Sequence, residues 1–341
     1  MLAHIKKVLL ILLSGALLLA GGVLVYQQIK FAFFADKQGR DVPLTVKQAQ
    51  EKASDVQAAF SADALNRYTF LQNDKEVFSL LIANYQDTKA VKRNAILFPP
   101  SLKPDSLNHD TTALRQSIWQ AASKSIQQHT PVDALILSWW DDGQRVQFLS
   151  GREAWLSKPA QETFKSSLWE QLQGNLLLAS SDEHARLTQM ARWLTMDSEK
   201  ALAEIRATFG TKRPLYLVVN NDLLMRVSEM ADYGGAPLTF NTKAIQAREN
   251  LHGDISQIRR WANETGEGNY LVQKEGTYYR AWSTPKKSKA EDNSLLVRLL
   301  PFVDSLKKLP ENVDLVYQSH WGGYLSIYKI EFGGLPSESV R

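Results

Sequence analysis

The chain has 341 residues, of which 44% are apolar and 22% charged, and this composition suits a globular protein with a sizeable core. Its 40 basic and 36 acidic residues give a net charge of +4 without a Lys/Arg block, which argues against nucleic-acid binding. It has no cysteine, which excludes disulfides, thiolate metal sites, a cysteine nucleophile and covalent haem attachment.

The N-terminus carries one long apolar segment. Residues 8–26 hold no charge and follow Lys6 and Lys7. A helix of this length would cross the hydrocarbon core of a bilayer. A signal peptide has a shorter apolar region and a small-x-small cleavage site, so we expect an uncleaved anchor over residues 1–29. In a bacterium, this anchor would hold the chain in the inner membrane with its bulk in the periplasm.

Residues 30–66 are polar and rich in alanine. Thr45 and Gln48 have the spacing of a capping box, and apolar residues recur at helical intervals through Phe60. This pattern predicts a helical stalk between the anchor and a periplasmic domain at 67–341. The stalk would pack on its own domain, with a partner-binding helix as the alternative.

The middle of the chain alternates between apolar strands and amphipathic helices. Strands are predicted at 94–98, 133–138 and 215–219, and helices at 114–126, 180–193, 198–208 and 221–230. Such alternation predicts parallel pairing and right-handed crossovers. The loops that follow the three strands should then share the carboxyl edge of one sheet, where open α/β sheets bind ligands.

The last hundred residues no longer show the alternation of strands and helices. A helix is predicted at 255–261, and Glu275-Gly276 joins two strands as a hairpin. A solvated loop is predicted at 285–292, followed by a helix at 295–309 that Pro301 bends or divides. The "HWGG" segment separates a final pair of strands. The predicted fold class is therefore α/β: one transmembrane helix, then a mixed sheet with parallel βα units and C-terminal antiparallel hairpins.

Two polar loops are predicted to lie side by side at the carboxyl edge. The first holds Trp139, Trp140, Asp141, Asp142 and Arg145, and the second holds Asn221 and Asp222. Successive residues that leave a strand alternate faces, so one indole would line the core and the other would face the loop. The indoles suit a hydroxyl, a sugar face or a chain segment, and the carboxylates a cation or hydrogen-bond donors. A turn anchored by tryptophan and capped by aspartate, with Gly143 turning the chain, is the structural alternative.

No catalytic constellation is evident in the sequence. The six histidines form no zinc-binding pair, and phosphate loops and nucleophile elbows are absent. We therefore predict no catalytic residues, no metal ligands and no cofactor, while leaving open whether Asp141 and Asp142 hold a cation.

The segment "SWWDDG" resembles the Trp-Trp-Asp-x-Gly signature of the catalytic subunit of oligosaccharyltransferases. The neighbouring "PLYLVVNNDLL" and "WGGYLSIYKIEF" resemble strands of that family's soluble C-terminal domain. The resemblance implies recognition of a hydroxyl-bearing residue by Trp139, Trp140 and Asp141. Asp142 stands where that family has tyrosine, and its many-span catalytic domain is missing here, so the resemblance implies an inherited fold with peptide-binding capacity rather than glycosyl transfer.

The single span, the cysteine-free body and "LSWWDDGQRVQFLSGREAW" together resemble the HaoB family of hydroxylamine oxidation proteins. That family is encoded beside the multihaem hydroxylamine oxidoreductase and its electron-accepting cytochrome. The resemblance implies a membrane-anchored periplasmic accessory protein that docks or assembles the oxidoreductase, with that enzyme or its cytochrome as partner. A peptide-binding or enzymatic domain that uses the Trp-Trp-Asp loop is the alternative.

Overall fold

The computed structural model describes residues 44–52, 56, 58–99, 111–248, 250–307 and 309–332. The predicted anchor over 1–29 and the first part of the predicted stalk lie outside the described residues. Within those ranges, no helix combines the length and the apolar character needed to cross a membrane.

An antiparallel sheet opens the described part of the chain. Its strands are β1 (Thr45–Glu51), β2 (Ala62–Gln72), β3 (Lys75–Gln86) and β4 (Lys92–Leu97), paired in that order. The β2–β3 hairpin turns at Asn73 and Asp74, whose φ angles of 50° and 59° lie in the left-handed region that such turns require.

This sheet corrects two predictions. The helical stalk is wrong over Thr45–Glu51, because these residues pair with β2 from Thr45 opposite Leu71 to Glu51 opposite Leu65. Long-range pairing therefore outweighs the local capping signal, and the sheet crosses the predicted boundary at residue 67. The predicted strand at 94–98 exists as β4, but its partner is the antiparallel β3, so it does not belong to the parallel sheet.

The second sheet carries the predicted parallel unit. Its five strands have the order β11-β12-β7-β5-β6. Their bounds are β5 (Leu135–Leu137), β6 (Glu153–Ala154), β7 (Leu215–Asn220), β11 (Val313–Gln318) and β12 (Leu325–Ile330). β5 pairs in parallel with β6 and β7, whereas β12 is antiparallel to both β7 and β11. The mixed sheet and the closing hairpin are thus confirmed.

The third sheet is antiparallel, with the order β8-β10-β9. It consists of β8 (Asn241–Gln246), β9 (Tyr270–Glu275) and β10 (Tyr278–Ser283). The predicted hairpin at Glu275-Gly276 joins β9 to β10, and Gly276 has a φ of 57°.

Ten α-helices occur within the described residues. They are α1 (Thr111–His129), α2 (Trp140–Ser150), α3 (Ser167–Glu170), α4 (Ser181–Thr195), α5 (Ser198–Phe209), α6 (Val227–Asp232), α7 (Leu251–Thr265), α8 (Lys289–Asn293), α9 (Leu295–Leu299) and α10 (His320–Gly323). The helix predicted at 180–193 is confirmed as α4, which starts with a capping box, since Ser180 and Glu183 exchange side-chain and backbone hydrogen bonds. The helix predicted at 295–309 ends at Leu299, and part of the predicted 285–292 loop forms α8.

The first sheet contributes side chains to two hydrophobic clusters, one on each face. Phe70, Leu80 and Ile96 belong to one hydrophobic cluster, which also takes in β7 and helices α4 and α5. Leu81 and Leu97 point into a second cluster, which includes α1 and α2. The end of β4 consequently lies close to the carboxyl ends of β5 and β7 although it belongs to a different sheet.

Candidate functional site

The two tryptophans stand at the start of helix α2, not in an exposed loop. Trp139 precedes the helix and Trp140 is its first residue, and both side chains are fully buried. Trp139 packs edge-on against Tyr233, with ring centroids 5.7 Å apart, and Trp140 against Trp169 at 5.2 Å. The prediction that one indole faces a loop is therefore wrong, because the chain turns into a helix that packs both rings in the core.

Gly143 is a helical residue in α2, and the expectation that it turns a loop is wrong. A Cβ atom at this position would overlap the carbonyl oxygen of Leu156 and press on Ala154. The glycine of the signature thus permits the close approach of α2 to the segment that contains β6.

Asp141, Asp142 and Arg145 form one ionic group on α2. Their spacing of three and four residues places the guanidinium beside both carboxylates. Arg145 Nη1 lies 2.7 Å from Asp142 Oδ1 and 3.2 Å from Asp141 Oδ2, and all three side chains are at least 92% buried. The guanidinium also lies over the Phe98 ring, 4.7 Å from its centroid, which links α2 to the end of β4.

The end of β7 meets this group, as predicted for neighbouring loops at a carboxyl edge. Asn220 donates from Nδ2 to Asp142 Oδ2 at 2.6 Å. Asn221 is also buried, but it does not line the cavity described below, and its Oδ1 has no hydrogen-bond partner among the described residues. The second loop therefore contributes Asn220 rather than Asn221.

Asp222 is held from two distant parts of the chain. Arg115 on α1 donates to both of its carboxylate oxygens, at 2.9 and 3.0 Å, and Tyr324 Oη donates to Oδ2 at 2.6 Å. Burial opposes ionisation of Asp222, but Arg115 and Tyr324 outweigh this effect and lower its pKa. Burial and the neighbouring carboxylate raise the pKa of Tyr324, so its hydroxyl remains a donor.

Arg226 connects the signature to the helix that follows β7. It lies 3.0 Å from Asp141 Oδ2 and 3.1 Å from Glu229 Oε2, and its guanidinium covers the Trp169 ring at 4.3 Å from the centroid. Glu229 Oε1 accepts from Trp140 Nε1 at 2.9 Å and from Thr163 Oγ1 at 2.6 Å.

A further ion pair extends the network, since Glu275 lies 3.6 Å from Arg115 and 2.7 Å from Arg280. We call the connected charged side chains the ionic cluster. Its members are Asp141, Asp142, Asp222, Glu229, Glu275, Arg115, Arg145, Arg226 and Arg280. The cluster thus joins five carboxyl groups to four guanidiniums, which leaves one carboxyl group in excess.

The two neighbouring aspartates respond to this imbalance in opposite directions. Burial and then the charge of Asp141 raise the pKa of Asp142 to about 8, although Arg145 opposes the shift. Burial also disfavours the Asp141 carboxylate, but Arg226 and Arg145 outweigh it and lower its pKa. Protonation is therefore favoured at Asp142 and opposed at Asp141.

A cavity of about 440 Å³ opens beside the cluster. Asp141, Asp142 and Arg145 line it, as do Asn220 and Asp222. Trp139 and Trp140 lie behind this lining. Within the described ranges, no three His, Asp or Glu side chains come together as a set of metal ligands.

The family model described as HaoA-associated protein HaoB matches residues 6–330. The chain belongs to this family. HaoB membership confirms the second resemblance that the sequence suggested. No curated protein matches the chain.

Among solved structures, this HaoB-family chain is similar to the crystal structure of the C-terminal domain of C. jejuni PglB. The identity is 11% over 63% of this chain and 100% of that one, with a TM-score of 0.37. A similarity this weak does not establish a shared function. Recognition of a hydroxyl-bearing residue by Trp139, Trp140 and Asp141 therefore stays a prediction.

Sequence reasoning missed five of the nine members of the ionic cluster in this HaoB-family chain, namely Arg115, Arg226, Glu229, Glu275 and Arg280. Arg226 follows Asp222 by one helical turn, so the segment after β7 contained a usable signal. Arg115, Glu275 and Arg280 carry no such signal, because they reach the site from α1 and the third sheet through tertiary packing alone.

Proposed function

We propose that the chain is an accessory protein of hydroxylamine oxidation that associates with HaoA, the multihaem hydroxylamine oxidoreductase, through its α/β body. The family match over residues 6–330 is the observation that carries this proposal. The absence of cysteine is compatible with it, because an accessory protein needs no covalently attached haem of its own.

Residues 139–145 are too buried to serve as the contact surface for HaoA. Trp139 and Trp140 are fully buried, and the side chains of Asp141, Asp142 and Arg145 are 8% exposed or less. Side chains this buried cannot form a flat docking surface in the folded protein. The association would use the outside of the body, while residues 139–145 shape the interior and one wall of the cavity.

The association is tested by purifying the tagged, full-length chain from native membranes in mild detergent and low salt. Haem absorbance and mass spectrometry of the eluate would report HaoA. We expect HaoA to copurify. A folded chain that elutes without a haem protein would contradict the proposal.

Two glycine variants provide a matched control. Gly143→Ala would force α2 away from Leu156, whereas a Cβ atom at Gly174 meets no atom within 4 Å. Both variants keep the whole N-terminal segment. We therefore expect Gly174→Ala to retain HaoA and Gly143→Ala to lose it together with the folded body. Equal recovery of HaoA with both variants would show that the association does not require the folded α/β body.

We also propose that residues 8–26 anchor the chain in the inner membrane with its body in the periplasm. The uncharged length of this segment supports the anchor. An alkaline carbonate wash of membranes should leave the chain in the pellet. External protease should degrade the body in spheroplasts. Release of the chain by carbonate would contradict the membrane anchor. Full protection of the body from protease in intact spheroplasts would contradict its periplasmic location.

A ligand-binding function is the second candidate, and the cavity is the observation that favours it. Its volume of about 440 Å³ falls within the range of small-molecule sites. The recognition groups would then be the cavity-lining Asp141, Asp142 and Arg145 rather than exposed indoles. If the site were enzymatic, Asp142→Asn would abolish turnover without loss of folding, whereas the accessory function should survive the change.

A further inference from the structure

The cavity has two walls of opposite character. Leu80 and Ile96 from the first sheet contribute to an apolar wall, together with Phe98 at the end of β4. Asp141, Asp142 and the other lining members of the ionic cluster form the charged wall. A ligand that fills this space would need an apolar body and a polar head.

The charges that line the cavity do not balance. The lining carboxyl groups are Asp141, Asp142, Glu162, Asp222, Glu229 and Asp232, and the lining cations are Arg115, Arg145, Lys165 and Arg226. Four positive and six negative groups give 4 − 6 = −2 when all are ionised. A proton on Asp142 reduces the imbalance to −1 without removing it. His184, whose Nε2 lies 3.0 Å from Glu162, adds charge only when it is protonated.

One carboxylate oxygen of the charged wall remains available for a ligand. The ion pairs and hydrogen bonds of Asp141 with Arg145 and Arg226 all end on Oδ2. In contrast, Asp142, Asp222 and Glu229 use both of their oxygens in contacts with the protein. Among the members of the ionic cluster that line the cavity, Asp141 Oδ1 is therefore the acceptor that can take a further donor without breaking a contact found within the described residues.

The guanidiniums do not make the cavity an anion site. Arg115, Arg145 and Arg226 each lie within 3.2 Å of at least one carboxylate oxygen. An anion would have to displace these partners and would enter a region of net negative charge. A cation gains from the same imbalance, and the gain is larger in a cavity than in open water because the surroundings screen charge less.

We propose that the cavity binds a small organic ammonium ion with an apolar body. The ammonium group donates to Asp141 Oδ1, and the apolar body lies against Leu80, Ile96 and Phe98. This inference is independent of the association with HaoA, and either one can fail without the other.

The first test compares three probes of similar size by isothermal titration calorimetry on the full-length chain in detergent. The probes are 2-phenylethylammonium, 2-phenylethanol and 3-phenylpropionate. We expect the ammonium to bind at least about tenfold more tightly than the alcohol, and the carboxylate not to bind measurably. Equal affinity for ammonium and alcohol, preferential binding of the carboxylate, or no binding of the ammonium would overturn the proposal.

A charge change at the rim tests the electrostatic part without disturbing the core. Ser228 is exposed on α6 and lines the cavity. We expect Ser228→Lys to weaken ammonium binding by about tenfold and Ser228→Ala to leave it within about twofold. Thr211→Lys adds the same charge at the exposed turn before β7, at the opposite end of that strand, and should have little effect. Equal weakening by both lysine variants would overturn the proposal.

Asp141→Asn tests the acceptor itself. The variant should lose the preference for 2-phenylethylammonium over 2-phenylethanol, because the amide keeps the shape but not the charge. If circular dichroism shows that the variant is unfolded, the Ser228 pair decides the question. A folded Asp141→Asn protein that keeps the full preference would overturn the assigned contact.

Discussion

The two walls of the cavity are built in different ways. The charged wall joins a local group, in which Arg145 lies three and four positions from the two aspartates that it binds, to arginines from distant elements, such as Arg115 and Arg226. The apolar wall comes from strands whose partners are fixed only by sheet pairing, as in β3 and β4. The stability of the charged wall therefore depends on pairing each charged group, whereas the stability of the apolar wall depends on close packing of its side chains.

The largest effect is expected from Asp141→Asn, which removes the carboxylate shared by Arg145 and Arg226. Loss of one partner from a buried ion pair costs about 3–5 kcal/mol, because the remaining charge stays buried without compensation. Urea unfolding would measure the loss. Asp314→Asn on exposed β11 is the matched control, and we expect it to change stability by less than about 0.5 kcal/mol. A loss below about 1 kcal/mol for Asp141→Asn would contradict the ion-pair account.

The apolar wall should respond to lost volume instead of lost charge. Leu80 is 1% exposed, so Leu80→Ala is expected to cost about 3 kcal/mol through lost burial and the space left behind. Its effect should be the same at pH 5 and at pH 8, because no ionic contact changes. Val132→Ala, at an 84% exposed position, is the control with little expected loss. A strongly pH-dependent loss for Leu80→Ala would show that the two walls are not separable.

A pair of tyrosine variants sharpens the comparison between charged and neutral acceptors. Tyr324 Oη donates to the Asp222 carboxylate at 2.6 Å, and Tyr328 Oη donates to the Leu299 carbonyl at 2.7 Å. Both side chains are 3% exposed. Thermal or urea unfolding should give a loss of about 2 kcal/mol for Tyr324→Phe and about 1 kcal/mol for Tyr328→Phe. The reverse order would argue against an ionised Asp222.

Asp142→Asn is expected to cost less than Asp141→Asn, because burial and the charge of Asp141 already disfavour the Asp142 carboxylate in the folded state. Its pKa is raised to about 8, so between about pH 4 and pH 8 the folded state holds a proton that the unfolded state has released. The parent therefore loses stability as pH rises through this window, and the asparagine variant lacks that loss. Urea unfolding at several pH values should show that the free energy of unfolding of the variant rises relative to that of the parent as the pH approaches 8. A free energy of unfolding that falls relative to the parent as pH rises would contradict the raised pKa of Asp142.

Local patterns predicted the parallel core and part of the site. Periodicity and turn signals in the sequence predict the strands β5 and β7, the helix that starts near Ser180 and the closing hairpin. Their parallel pairing correctly brought the signature next to the segment after β7, where Asn220 contacts Asp142. At the signature the sequence pattern wrongly predicts a loop, because two adjacent aspartates and a glycine are typical of turns as well as of a helix N-terminus.

Tertiary pairing decided the features that the sequence did not reveal. The segment Thr45–Glu51 has a capping-box pattern but becomes a strand, because β2 offers seven backbone partners. Arg115, Glu275 and Arg280 enter the ionic cluster from elements far along the chain, and nothing local in the sequence marks them as partners of Asp222. The excess of one carboxyl group in the cluster can be counted only when the structure shows which of these side chains are in contact.

The excess carboxyl group is the central feature of the ionic cluster, and infrared spectroscopy can detect its protonated form directly. A buried protonated carboxyl has a C=O stretching band that is separate from those of carboxylates. At pH 6 we expect the parent protein to show such a band, Asp142→Asn to lack it, and the band to disappear with a midpoint near pH 8. If the parent and Asp142→Asn have identical spectra from pH 6 to pH 9, Asp142 does not hold the proton and the raised pKa of this side chain is contradicted.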